Sequence, residues 1–122
     1  MSRKIFVLDD DERACQLAER VLTEAGYKVM TRTTPLGSTT AVSAFQPDLV
    51  LLDIMMPALS GTHVVSILDQ HMKPRPKIIF YSNRTASELR ELAEKSKVEG
   101  FVCKTEGPNA LLTKVKKILP SI

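Results

Sequence analysis

The chain has 122 residues, 43% of them hydrophobic and 25% charged, and a net charge of +3. That length supports one domain with a real core and is short for two, and the composition excludes disordered and fibrous classes. No run approaches the eighteen apolar residues of a membrane span, and the few apolar residues after Met1-Ser2-Arg3-Lys4 do not make a signal peptide, so a single cytoplasmic domain over residues 1–122 is expected.

From Lys4 to Asp9 the chain reads as a buried strand. An aspartate of the Asp9-Asp10-Asp11 run, Asp11 foremost, can cap the helix whose Ala14, Leu17, Ala18, Val21, Leu22 and Ala25 recur at helical spacing until Gly26 stops it. Tyr27-Lys28-Val29-Met30-Thr31 alternates polar and apolar residues, as a half-exposed edge strand does. Thr34-Pro35 reads as a cap and first helical position for a stripe of Leu36, Ala41, Val42 and Phe45 that ends before Pro47. Leu49 to Asp53 is the next strand, followed by a loop and a helix carrying Val64, Val65, Leu68 and Met72.

Pro74 and Pro76 break the chain before the strand Ile78-Ile79-Phe80-Tyr81. A helix with Leu89, Leu92 and Ala93 inside follows, and Glu91 and Lys95 are spaced for a surface pair on it. Phe101-Val102-Cys103 is a short last strand, and Gly107-Pro108 opens a helix with Leu111, Leu112, Val115, Ile118 and Leu119 on one face. The alternation is (βα)5, which predicts an α/β, flavodoxin-like doubly wound parallel sheet. The amphipathic second strand belongs at an edge, so the expected strand order is 2-1-3-4-5, with Asp10 and Asp53 as neighbours where the order reverses.

Ligands of open α/β sheets bind beyond the carboxyl ends of the strands, and four apolar runs here end at Asp9-Asp10-Asp11, Asp53, Ser82-Asn83 and Lys104. Carboxylates gathered at one edge repel unless a cation neutralises them, and a set of oxygen donors suits Mg²⁺ or Mn²⁺ better than zinc. The Lys104 ammonium and the Ser82 hydroxyl complete a cradle for phosphoryl oxygens around a carboxylate nucleophile, which points to phosphoryl transfer onto Asp53. Other residues read more plainly. Cys15 and Cys103 lack metal-ligand spacing and fit reduced, buried thiols; His63 and His71 have no ligand partner; Met55 and Met56 fill space rather than bind a cofactor. Lys114, Lys116 and Lys117 form a solvated helix face, and no direct nucleic-acid or membrane binding is expected.

Asp9-Asp10, Asp53-Ile-Met-Met-Pro57, Gly61, Ser82, Phe101 and Lys104, in that order, resemble the receiver domain of bacterial two-component response regulators over nearly the whole chain. The resemblance implies that Asp53 is the phosphoacceptor, served by a histidine kinase or a histidine phosphotransfer protein. It implies that Asp10, supported by Asp9, binds Mg²⁺ together with Asp53 and the backbone carbonyl of Met55. Ser82 and Phe101 would be the switch pair, and Lys104 would pair with the phosphoryl group. Output would be to a downstream protein through the fourth helix, fifth strand and fifth helix, from a monomer or a phosphorylation-dependent dimer. Such a domain is a signalling switch rather than an enzyme, with at most autophosphorylation and autodephosphorylation.

The sequence departs from the family pattern where Thr105 replaces the proline after the lysine, a bond usually cis in the family. A cis bond before a residue other than proline costs about 3 to 4 kcal/mol, so Lys104-Thr105 is expected to be trans. Asn83 is larger than the small residue common after the switch hydroxyl. Met55, Asn83 and Arg84 are therefore expected to restrict access of water to the site. Two alternatives accompany this reading: a degenerate receiver that binds a protein without phosphorylation, and the receiver portion of a longer transcriptional regulator. A haloacid-dehalogenase-type phosphatase needs a second aspartate where Met55 stands, and is disfavoured.

Overall fold

The computed structural model describes residues 3–56 and 60–120, and Pro57 of the motif lies outside them. Along β1 (Lys4–Leu8), Ile5 and Val7 face one side of a sheet and Phe6 and Leu8 the other, all four buried. The same division runs through β3 (Leu49–Leu52) and β4 (Lys77–Ser82), whose apolar residues are buried on both faces. Strands of that kind need helices above and below, and the βα alternation supplies them. One core joins Phe6, Leu52 and Phe80 to Val42 of α2 (Ser38–Phe45), Val64 of α3 (Gly61–His71) and Leu89 of α4 (Ala86–Ser96). The other joins Ile5, Leu51 and Tyr81 to Ala18 of α1 (Glu12–Glu24) and Leu111 of α5 (Pro108–Ile118). Burial of each large aliphatic side chain contributes about 1.5–3 kcal/mol, so the two cores hold the sheet from both sides.

With β2 (Lys28–Arg32) and β5 (Gly100–Cys103), the five strands form a parallel sheet in the order β2-β1-β3-β4-β5, as predicted. Leu8 lies opposite Leu52, and Leu52 opposite Phe80, so β1, β3 and β4 reach the same edge. Asp11 caps α1 by accepting from the Arg13 N–H at 3.0 Å, and Gly26, at φ 100°, makes the left-handed turn that ends the segment.

Two local expectations fail. The second helix begins at Ser38, not at Thr34-Pro35. Thr34 Oγ1 accepts from the Leu36 N–H and Pro35 O from the Ser38 N–H, which closes a turn, and Gly37 then takes a positive φ of 77°. Leu36 is consequently 69% exposed rather than part of the apolar stripe. Glu91 and Lys95 form no ion pair; the i,i+4 pair of this region is Arg84–Glu88 at 3.1 Å. Glu88 is also the partner of Thr85 in a capping box, which organises the charges of the first turn of α4.

Candidate functional site

Asp9 and Asp53 follow the last residues of β1 and β3, and their backbones continue the ladder: Asp9 N–H donates to Arg32 O at 3.1 Å and Asp53 N–H to Leu8 O at 3.0 Å. These bonds fix both carboxylates at the carboxyl edge, where the strand order reverses. Asp9 is fully buried, Asp53 is 4% exposed, and Asp10 is exposed. The three aspartates can present carboxylate oxygens that all lie within 4.8 Å of one another.

Lys104, the first residue of a 3-10 turn (Lys104–Glu106) after β5, reaches into this group. Its Nζ lies 2.7 Å from Asp9 Oδ2 and 3.4 Å from Asp53 Oδ2, and 5.8 Å from the centre of the Tyr81 ring. The bond from Lys104 to Thr105 is trans, as expected, and the ammonium nonetheless reaches both acids. Asp53 Oδ1 accepts from the Met55 N–H at 3.0 Å, and Asp9 Oδ1 from the Asp11 N–H at 2.9 Å. Ser82 ends β4 fully buried, and among the described residues its Oγ has no hydrogen-bond partner. A buried hydroxyl without a partner is costly, and here it stands at the same edge as the carboxylates.

Burial pushes the Asp9 carboxyl up to about 6, against the Lys104 and Asp11 N–H hydrogen bonds that favour its charge, while the charge of Asp53 adds to the rise. Burial acts to lower the pKa of Lys104, but hydrogen bonding and charge from Asp9, with Asp53 adding to both, outweigh it and hold the ammonium above its ordinary range. One lysine thus faces three carboxylates, two of them buried. Such an excess of hard oxygen donors and negative charge fits a divalent cation, and the residues present are the right kind for magnesium or manganese.

Met55 is 50% exposed beside Asp53, and Asn83 and Arg84 are exposed after Ser82, with the Arg84 guanidinium held by Glu88. Phe101 lies off the carboxylate cluster, half-buried on β5 and packed against the core that contains Phe80, Leu89 and Cys103. Neither His63, whose Nδ1 is 2.9 Å from Ser60 Oγ, nor His71 joins the metal-ligand group found among the described residues.

Two contributions escaped sequence reasoning. Lys104 lies closer to Asp9 than to Asp53, a preference that depends on side-chain reach across the sheet. Gly61 approaches the site with its backbone: a Cβ there would stand 2.6 Å from Asp53 O and 2.8 Å from Ile54 Cα. The glycine was visible in the motif, but its reason is this close contact.

Comparison with known proteins agrees with this geometry. The sequence model of the family described as "Response regulator receiver domain" matches residues 5–116. Among curated proteins, the alkaline phosphatase synthesis transcriptional regulatory protein PhoP of Bacillus subtilis is 29% identical over 98% of this chain and 49% of its own length. The transcriptional regulatory protein KdpE of Mycobacterium tuberculosis is 29% identical over 92% of this chain and 49% of its own. The chain therefore spans about half the length of the curated relatives it matches. Among solved structures, a response regulator signal receiver domain from Bermanella marisrubri superposes with a TM-score of 0.86 at 27% identity, covering 98% of this chain and 99% of that one. The chemotaxis protein CheY4 of Vibrio cholerae shares the fold, with a TM-score of 0.87 at 22% identity over 98% of this chain and 100% of its own. The chain belongs to the response regulator receiver domain family of two-component signalling.

Proposed function

We propose that this receiver is a phosphoacceptor switch in which Asp53 takes a phosphoryl group from a histidine kinase or a histidine phosphotransfer protein. The observation that carries the reading is the recessed Asp53 carboxylate, with Asp9 and Asp10 on one side and the Lys104 ammonium within 3.4 Å. A carboxylate oxygen of Asp53 attacks phosphorus as the P–N bond to the donor imidazole breaks, and the imidazole nitrogen recovers the electron pair. Lys104 balances charge on the phosphoryl oxygens, and the unpartnered Ser82 hydroxyl donates a hydrogen bond to one of them. Asp9, Asp10, Asp53 and the Met55 carbonyl are the groups that would hold Mg²⁺, or Mn²⁺ in its place. A bound divalent ion supplies neutralisation of the clustered oxygens.

Ser82 and Phe101 carry the state of the site to the α4-β5-α5 surface, where a protein target binds. Bulky Met55 and Asn83, with Arg84 braced on Glu88, keep water from the acyl phosphate and slow its loss. The domain acts inside the cell, as a monomer or phosphorylation-dependent dimer, without contacting nucleic acid or membrane itself; among its described residues no helix is long and apolar enough to cross a membrane. A second reading, the receiver part of a longer transcriptional regulator, is favoured by the half-length match to regulators so named; the surrounding reading frame decides it.

The test is incubation with Mg²⁺ and acetyl phosphate or beryllofluoride, followed by mass and NMR. One phosphoryl adduct, and shifts absent from Asp53→Ala, are expected. An unresponsive parent chain would instead favour a degenerate receiver that binds its partner without phosphorylation. Met55→Asn is expected to lose the phosphoryl group faster than the parent, and an equal or slower decay removes the shielding role.

A further inference from the structure

Phe101 on β5 is held by two cations from different helices. The Cζ of Arg90, on α4, is 5.9 Å from the centre of its ring, and the Nζ of Lys114, on α5, is 5.8 Å from it. Acidic residues are near at hand in sequence, Glu91 and Glu94 on α4 and Glu106 in the turn between β5 and α5. Yet among the described residues neither Arg90 nor Lys114 forms an ion pair. The neighbouring Gly100 makes room for this arrangement: a Cβ there would stand 3.5 Å from Lys114 Cδ and 2.9 Å from Ile118 Cδ1. The stem of Lys114 therefore lies across the strand beside the ring.

The position of the ring relative to the site follows from register. Ser82 is opposite Cys103, Phe80 is opposite Phe101, and Phe80, Cys103 and Phe101 pack into the same core. The half-buried ring and the buried, unpartnered Ser82 hydroxyl thus belong to the same face of the sheet. In the proposed switch, a ring that turns inward toward Ser82 leaves both cations behind, because their side chains are rooted on the flanking helices α4 and α5. Cation–π attraction favours the outer position for that reason.

We infer that Arg90 and Lys114 are positioning residues that clamp Phe101 in its outer, half-buried place and thereby set the switching equilibrium of the domain. This rests on the phosphoacceptor reading of Asp53 and on the Ser82–Phe101 switch proposed with it. The clamp lowers the population of molecules with the ring inward. Apparent affinity for a ligand that selects the inward state falls in proportion to that population, so releasing the clamp tightens binding. Arg90→Met and Lys114→Met keep the apolar stems and remove the charges. Each is expected to tighten Mg²⁺-dependent beryllofluoride binding by about two- to fivefold, the range of an exposed cation–π contact. The effect must vanish when the same changes are made in a Phe101→Leu background, because the cations then have no ring to hold.

The experiment is a beryllofluoride titration of parent, single, double and Phe101→Leu variants followed by NMR, alongside the ¹⁹F resonance of para-fluorophenylalanine at position 101 in EDTA. Tighter binding in the charge variants, and a displaced fluorine resonance without metal, support the clamp. Unchanged or weaker binding overturns it, as does an equal tightening in the Phe101→Leu background. If the parent itself shows no Asp53-dependent binding, the phosphoacceptor reading fails and the clamp has nothing to regulate. A failed clamp with a responsive parent leaves that reading standing.

Discussion

Replacing Asp9 by asparagine should stabilise the metal-free fold at neutral pH, although the change removes the closer partner of Lys104. Asp9 is fully buried, and burial raises its carboxyl from 3.8 to about 6. Each tenfold change in acidity is worth about 1.4 kcal/mol, so ionising Asp9 in the fold costs at most about 3 kcal/mol relative to the unfolded chain. That cost is already net of the favourable pairing with Lys104, which is among the influences holding the carboxyl down. Lys104 still has Asp53 at 3.4 Å, so neither charge is left buried without a counterpart, and the larger penalty of an orphaned ion does not arise. A net gain of about 1–3 kcal/mol is expected.

The sign gives a second check. An acid with a raised folded pKa destabilises the fold above that pKa and has no such effect below its unfolded value. The advantage of Asp9→Asn should therefore be full above pH 6, shrink as pH falls, and disappear below about pH 4. Urea unfolding in EDTA across that range measures both quantities. A variant less stable than the parent at pH 7.5, or a gain that does not change with pH, would refute the reasoning. Lys104→Met is the opposite perturbation. It leaves Asp9 and Asp53 facing each other without a cation and should cost roughly 3–5 kcal/mol in the same assay at neutral pH.

Gly61→Ala would drive a Cβ to 2.6 Å from Asp53 O, where backbone must move, so a loss of about 1–3 kcal/mol and weaker beryllofluoride binding are expected by unfolding and NMR titration. Leu36→Ser should change stability by no more than about 0.5 kcal/mol, because the side chain is 69% exposed on a turn; Leu89→Ala, fully buried, should cost about 2–5 kcal/mol in the same denaturant series. Tyr27→Phe removes the buried hydrogen bond its hydroxyl donates to Leu119 O at 2.7 Å and should cost about 1 kcal/mol by thermal unfolding, with beryllofluoride affinity unchanged.

The strand order was legible from particular residues. Leu49 to Leu52 is apolar throughout because that strand is covered on both faces, whereas in β2 exposed Lys28 and Met30 alternate with half-buried Val29 because Val29 alone of the three packs against a core. Asp10, Asp53 and Lys104 could be assembled from this order alone, since each closes or follows an apolar run. The start of the second helix is not legible, for a local reason. Thr34-Pro35 has the chemistry of a cap and equally that of a turn, and the choice fell to Gly37 and to the Arg32 side chain, which donates to Leu36 O at 3.0 Å.

Periodicity is written in the residues themselves, and it decides which elements form, which faces they bury and which residues stand at the carboxyl edge. The residues also carry the family, because the ordered set of Asp9-Asp10, Asp53, Ser82 and Lys104 marks a specific chemistry. Side-chain partners, by contrast, are fixed by packing. Lys104 is nearer Asp9 than Asp53, Arg84 rather than Lys95 finds a glutamate, and Phe101 rests between two cations from helices on either side of β5. These choices depend on distances of a few ångströms between long side chains of residues far apart in the chain. No pattern of spacing encodes such distances; they are set when sheet register and helix packing bring the side chains together.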